Sequence, residues 1–85
     1  IGTWLDDVTG NQIVMYSEDG KSYVEQYFQD GSFLKDELVA KPSPSGQRLE
    51  SKSGSEFGRH WVVDSFGDLQ IRDTVGLIST AKRIK

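Results

Sequence analysis

Turn signals ending in glycine recur along this chain at short intervals, leaving room between them for strands and little else. Val8-Thr9-Gly10-Asn11, Glu18-Asp19-Gly20, Gln29-Asp30-Gly31, Ser43-Pro44-Ser45-Gly46, Ser65-Phe66-Gly67 and Thr74-Val75-Gly76 set the glycines 10, 11, 15, 21 and 9 residues apart. The widest gap is itself broken by Gly54 and Gly58. Glycine and aspartate supply the left-handed conformations that tight hairpin turns require. Strands punctuated at this rhythm form a sandwich or a barrel.

The segments between the turns carry the matching pattern. Residues 12–17, 22–28, 33–40, 47–53, 60–64, 69–72 and 76–84 alternate or are rich in β-formers, as half-buried strands require. Along 22–28, Tyr23, Glu25 and Tyr27 share one face, and Val24, Gln26 and Phe28 share the other. Residues 47–53 have Leu49 as their single apolar residue and read as a solvated edge. The stretch Phe33–Lys41 fits a strand but also a short helix capped by Ser32, because Glu, Leu, Ala and Lys favour helices. Pro42 and Pro44 then interrupt any ladder and mark the longest loop. The expected fold is all-β: an antiparallel up-and-down meander of seven or eight short strands in one domain, curled into a barrel or a strongly twisted sheet.

The 85 residues include nine aromatics, no cysteine and a formal net charge of −3. A domain this small has little apolar material to spare, so most of the aromatics are expected in the core. Without cysteine there is no disulfide scaffold, thiolate zinc site or thiol nucleophile. The acidic balance argues against a phosphate-backbone binder, so no nucleic-acid partner is expected. No apolar run approaches the ~20 residues of a membrane span. Ile1 reads as a processed terminus or a boundary, which slightly favours an exported or periplasmic protein.

Residues 60–78 hold the single histidine and three aspartates, Asp64, Asp68 and Asp73. With one His and no Cys, a zinc site would need carboxylates for all its other ligands, so neither metal nor other cofactor is expected. His60 and Asp64 share a strand face, four residues apart along the chain. His60 reads as an ordinary surface strand residue, and the aspartates read as turn formers. Trp61, Val63, Leu69, Ile71 and Leu77 are the expected core of this stretch. Adjacent pairs such as Asp6-Asp7 and Asp36-Glu37 point to opposite faces of a strand and make no catalytic dyad. No serine stands in a Gly-x-Ser-x-Gly elbow.

Gly2-Thr3-Trp4, followed by the run of hairpins, resembles the Gly-x-Trp start of lipocalin-like barrels. The resemblance implies that Trp4 closes one end of a barrel and packs on a basic side chain from a late strand, Arg72 or Arg83. The closing stretch, with Gly67-Asp68-Leu69 and a turn from Asp73 to Gly76, is also similar to the ends of small exported bacterial β-proteins. Both likenesses imply binding proteins rather than enzymes. The leading expectation is therefore a non-catalytic module that binds another protein, through Tyr23, Glu25 and Tyr27 on an outer sheet face or through the open edge at 47–53. Edge strands would also allow homo-oligomers. The alternative is a small-ligand barrel with a cavity lined by Met15, Phe28, Phe33, Trp61 and Leu69.

Overall fold

In a computed structural model describing residues 2–44, 46–54 and 56–85, eight strands follow one another around a closed barrel. They are β1 (Gly2–Leu5), β2 (Gln12–Glu18), β3 (Lys21–Tyr27), β4 (Phe33–Lys41), β5 (Gln47–Ser51), β6 (His60–Val63), β7 (Leu69–Arg72) and β8 (Leu77–Arg83). Each pairs antiparallel with its neighbours in sequence, and β8 returns to β1. Phe33–Lys41 is a strand, paired on both sides. Its pairing with a strand on each side outweighs its helix-forming composition. Ile1 lies outside the described residues, and with it the reading of a processed terminus.

Residues opposite one another across a ladder share a side of the sheet. The pairs Trp4↔Ile13, Met15↔Val24, Leu49↔Trp61 and Leu69↔Ala81 point inward. With Leu38 they form a single buried cluster, against which Val63 and Ile71 pack. Trp4 is fully buried; its indole Nε1 donates to the Gly67 carbonyl at 2.8 Å, and the Arg83 guanidinium stands 5.7 Å from its ring centre. Arg72 instead donates from Nη1 to the Gln70 side chain at 2.9 Å. The β2–β3 hairpin turns on Asp19 and Gly20, both at positive φ (53° and 78°), as a two-residue type I′ turn demands. Gly46 lies at φ 134°, and a Cβ there would collide with the Val63 carbonyl.

Three expectations are corrected. Residues 47–53 do not form an edge: β5 pairs with both β4 and β6, and a closed barrel leaves no strand free for augmentation or edge-to-edge oligomers. Leu77 is not core. A bulge pairs Ile71 with Ser79 but Arg72 with Leu77, so Ile78 is the extra residue and Leu77 turns outward, 55% exposed. The core also uses few of the aromatics. Trp4 and Trp61 are buried, whereas Phe33, Phe57 and Phe66 are at least half exposed. Aliphatic side chains from β2 to β8 fill the interior around the two tryptophans, since the inside of an eight-stranded barrel is narrow.

Strand direction alternates, so the connections sort to two ends. One end carries the turns at 6–11 and 28–32, the β5–β6 loop and the turn at 73–76. The other carries the 19–20 turn, the β4–β5 loop, the 64–68 turn, the start of β1 and the end of β8.

Candidate functional site

The outer surface of β2, β3 and β4 carries a group of aromatic and charged side chains in mutual contact. Three cross-strand pairs build it: Tyr16↔Tyr23, Glu25↔Lys35 and Tyr27↔Phe33. Val24 anchors β3 from below, 1% exposed, so the pleat drives Tyr23, Glu25 and Tyr27 outward. The tyrosine rings of 16 and 23 lie 5.6 Å apart, and Tyr27 stacks on Phe33 at 5.4 Å. Lys35 Nζ stands 5.0 Å from the Tyr23 ring centre and 5.7 Å from that of Tyr16, within cation–π reach.

Glu25 is the hub of this surface. The Tyr16 hydroxyl donates to its Oε2 at 2.7 Å, and the Tyr27 hydroxyl donates to its Oε1. These bonds from Tyr27 and Tyr16 hold the carboxyl below its ordinary range, with smaller help from Lys35. The same bond raises the Tyr27 phenol. At Tyr16 the adjacent Lys35 pulls the phenol down, but the Glu25 carboxylate and burial together outweigh it and leave the group raised. At neutral pH the face therefore presents an ionised carboxylate held by two neutral phenols. The three residues expected from the sequence, Tyr23, Glu25 and Tyr27, stand together here. Tyr16, Phe33 and Lys35 belong with them; only the register of the two hairpins could have shown it.

The five residues expected around a ligand cavity are separated. Met15, Trp61 and Leu69 pack in the core cluster, Phe28 lines the mouth at the 6–11 end, and Phe33 lies on the outer face. At the opposite end, a hollow of about 60 Å³ touches Trp4, Met15, Leu38, Leu49 and Val63. At ~30 Å³ per water it has room for about two.

His60 is buried at 7% exposure, not an open surface residue, although it faces outward opposite Arg72. Its Nδ1 lies 2.8 Å from the Gly58 carbonyl. Asp64 accepts the Phe66 and Asp68 backbone N–H groups, and Asp73 accepts those of Val75 and Gly76, so both are turn formers. Asp68 differs: it accepts from Lys82 Nζ at 3.1 Å and the Arg83 N–H at 3.3 Å, tying the turn to β8. Among the described residues no hydrogen bond joins His60 to Asp64, and no group of three or more His, Cys, Asp or Glu is placed to hold a metal.

Asp6 is the acidic residue whose role the sequence hid. It is buried, and its carboxylate accepts the Val8 and Thr9 N–H groups and the Ser79 hydroxyl at 3.0 Å. Burial raises its pKa, but these bonds together more than offset that and leave it lowered. Its turn, running on to Thr9 and Gly10, was the signal available. Among the described residues no helix is long and apolar enough to cross a membrane. No family model matches this chain, and no characterised protein or solved structure is similar to it.

Proposed function

We propose that this barrel is a non-catalytic binding module that recognises a protein through the outer face of β2–β4. One observation carries the reading: Glu25 is clamped by two phenols on an exposed surface that also displays the Tyr27–Phe33 stack. Tyr27 and Phe33 are 42% and 52% exposed, beyond what packing needs. Tyrosines offer large contact area at low conformational cost, and they are enriched where proteins meet. Their hydrogen bonds to Glu25 fix the side chains before contact, which reduces the entropy lost on binding. The partner surface that fits would set apolar groups on the Tyr27–Phe33 stack and N–H donors on the free lone pairs of Glu25.

The interior supports this reading over a lipocalin-type carrier, because Met15, Trp61 and Leu69 fill the middle of the barrel with one another. The test is affinity capture with the wild type, a Tyr23→Ser/Tyr27→Ser double variant, and a variant altered away from the face at Arg59. A protein held by the wild type and the Arg59 variant, but released by the double variant with its fold intact by circular dichroism, is the expected result. Equal capture by all three would overturn the reading.

A further inference from the structure

The mouth at the 6–11 end opens into two adjoining cavities. The first, about 220 Å³, is lined by Gln26, Leu34, Asp36, Ser51, Arg59 and Trp61 among others. The second, about 190 Å³, includes Asp6, Ile13, Gln26, Phe28, Arg59 and Ile71. Gln26 and Arg59 stand in the walls of both. At ~30 Å³ per water-sized group, the larger cavity holds about seven such groups and the pair roughly twice that. That is the size of one amino acid, not of a lipid or a cofactor.

The chemistry of the walls is divided. Asp36 is an ionised acceptor: the Ser51 and Ser53 hydroxyls both donate to its Oδ2 and hold its pKa down, while among the described residues Oδ1 takes only the Glu37 N–H at 2.8 Å. A carboxylate oxygen with one donor has acceptor capacity left. Arg59 is the complement. It is exposed at the boundary of the two cavities, and no hydrogen bond or ion pair engages its five donors among the described residues. The second cavity sets Ile13, Phe28, Ile71 and Ile78, the last placed there by the β8 bulge, beside the polar side chains of Asp6, Thr9, Asn11 and Ser79.

We infer that the mouth binds a small zwitterion of amino-acid type, with its carboxylate on Arg59 and Gln26, its ammonium on Asp36, and an apolar side chain in the second cavity. A guanidinium matches a carboxylate in fork geometry, and charge-assisted bonds are the strong ones. Asp6 stands in the second cavity and not the first, and among the described residues its Oδ2 also has a single donor, the Ser79 hydroxyl, so Asp36→Asn is the substitution that tells the two carboxylates apart. The site meets the outer face at Lys35, which lines the first cavity, while none of Tyr16, Tyr23, Glu25 and Tyr27 lines either cavity.

The test is an NMR titration of the intact chain, following the Gln26 amide, the Arg59 Nε and the Trp61 Nε1 signals. The probes are leucine, isovalerate, which lacks the carbon that bears the ammonium, and isoamylamine, which lacks the carboxylate. Leucine should shift these signals saturably, and each of the other two should bind about tenfold more weakly, as the loss of one charge-assisted contact implies. Arg59→Gln, which breaks no hydrogen bond or ion pair among the described residues, should weaken leucine by a similar factor; Asp36→Asn should cost leucine affinity but leave isovalerate unchanged. Should Asp36→Asn fail to fold, the probe series and Arg59→Gln still decide. The inference is overturned if millimolar leucine leaves the signals in place, if isovalerate binds as well as leucine, or if Arg59→Gln binds leucine as the wild type does.

Discussion

At the scale of single residues, Trp4 shows how much one side chain holds together. It is fully buried, donates to the Gly67 carbonyl across the chain, and lies beneath Arg83. Trp4→Phe keeps a ring but removes the indole donor and leaves that carbonyl without its partner. The expected cost is about 2 kcal/mol, read from the midpoint of urea unfolding. A loss within ~0.5 kcal/mol, typical of surface changes, would contradict the role given to that bond. Glu25 offers a second test at this scale. Its carboxylate raises the phenols of Tyr16 and Tyr27, so Glu25→Gln should bring both ionisations to lower pH in a spectroscopic titration. The sign for stability follows from the same shift. A phenol raised in the folded state favours folding below its ordinary value of 10.0, and that contribution is lost as pH rises through the folded value. Of these residues, local alternation showed Tyr27 facing outward, whereas Trp4 was placed at a barrel end only by the Gly-x-Trp resemblance. The sequence could not show Arg59 or Gln26 as neighbours, because 33 residues of chain separate them.

At the scale of elements, the turns were the legible part and the register was not. The glycines at 10, 20, 31, 46, 67 and 76 do stand in the connections, each at positive φ. Leu77 was misplaced because a single inserted residue in β8 reverses the inside and outside of everything before it. No local propensity announces such an insertion, which the facing strand reveals. The β1–β2 turn also carries a pH dependence. Asp6 is held below its ordinary value of 3.8 by the Ser79 hydroxyl and the N–H groups of its own turn, against the effect of burial. Its stabilisation is therefore complete above that value and is lost as the pH falls through the lower, folded one. Asp6→Asn should lower stability at neutral pH, with the gap to the wild type closing below about pH 4. Urea unfolding across the acid range checks this; a gap that stays constant would contradict it.

For the whole molecule, closure is what sequence reasoning could not decide between a barrel and a twisted sheet. Turn spacing sets the number of strands, but closing the ring depends on β1 meeting β8 across nearly the full length of the chain. That seam is short: Trp4↔Arg83 and Leu5↔Lys82, extended by Ile84 N–H donating to the Thr3 carbonyl at 2.8 Å and Thr3 N–H to that of Lys85 at 3.1 Å. Its effect is large, because it removes both edges and leaves two kinds of surface for recognition, the outer wall and the open mouth. The account assigns a protein partner to the wall of β2–β4 and a small zwitterion to the mouth. The measurement that tests the first and central assignment is the NMR footprint of a captured partner on the labelled barrel. The account predicts perturbation centred on Tyr16, Tyr23, Glu25, Tyr27, Phe33 and Lys35, with the mouth turns at 6–11 and 73–76 unaffected. A footprint centred on those turns, or on the wall of β6–β8, would contradict it.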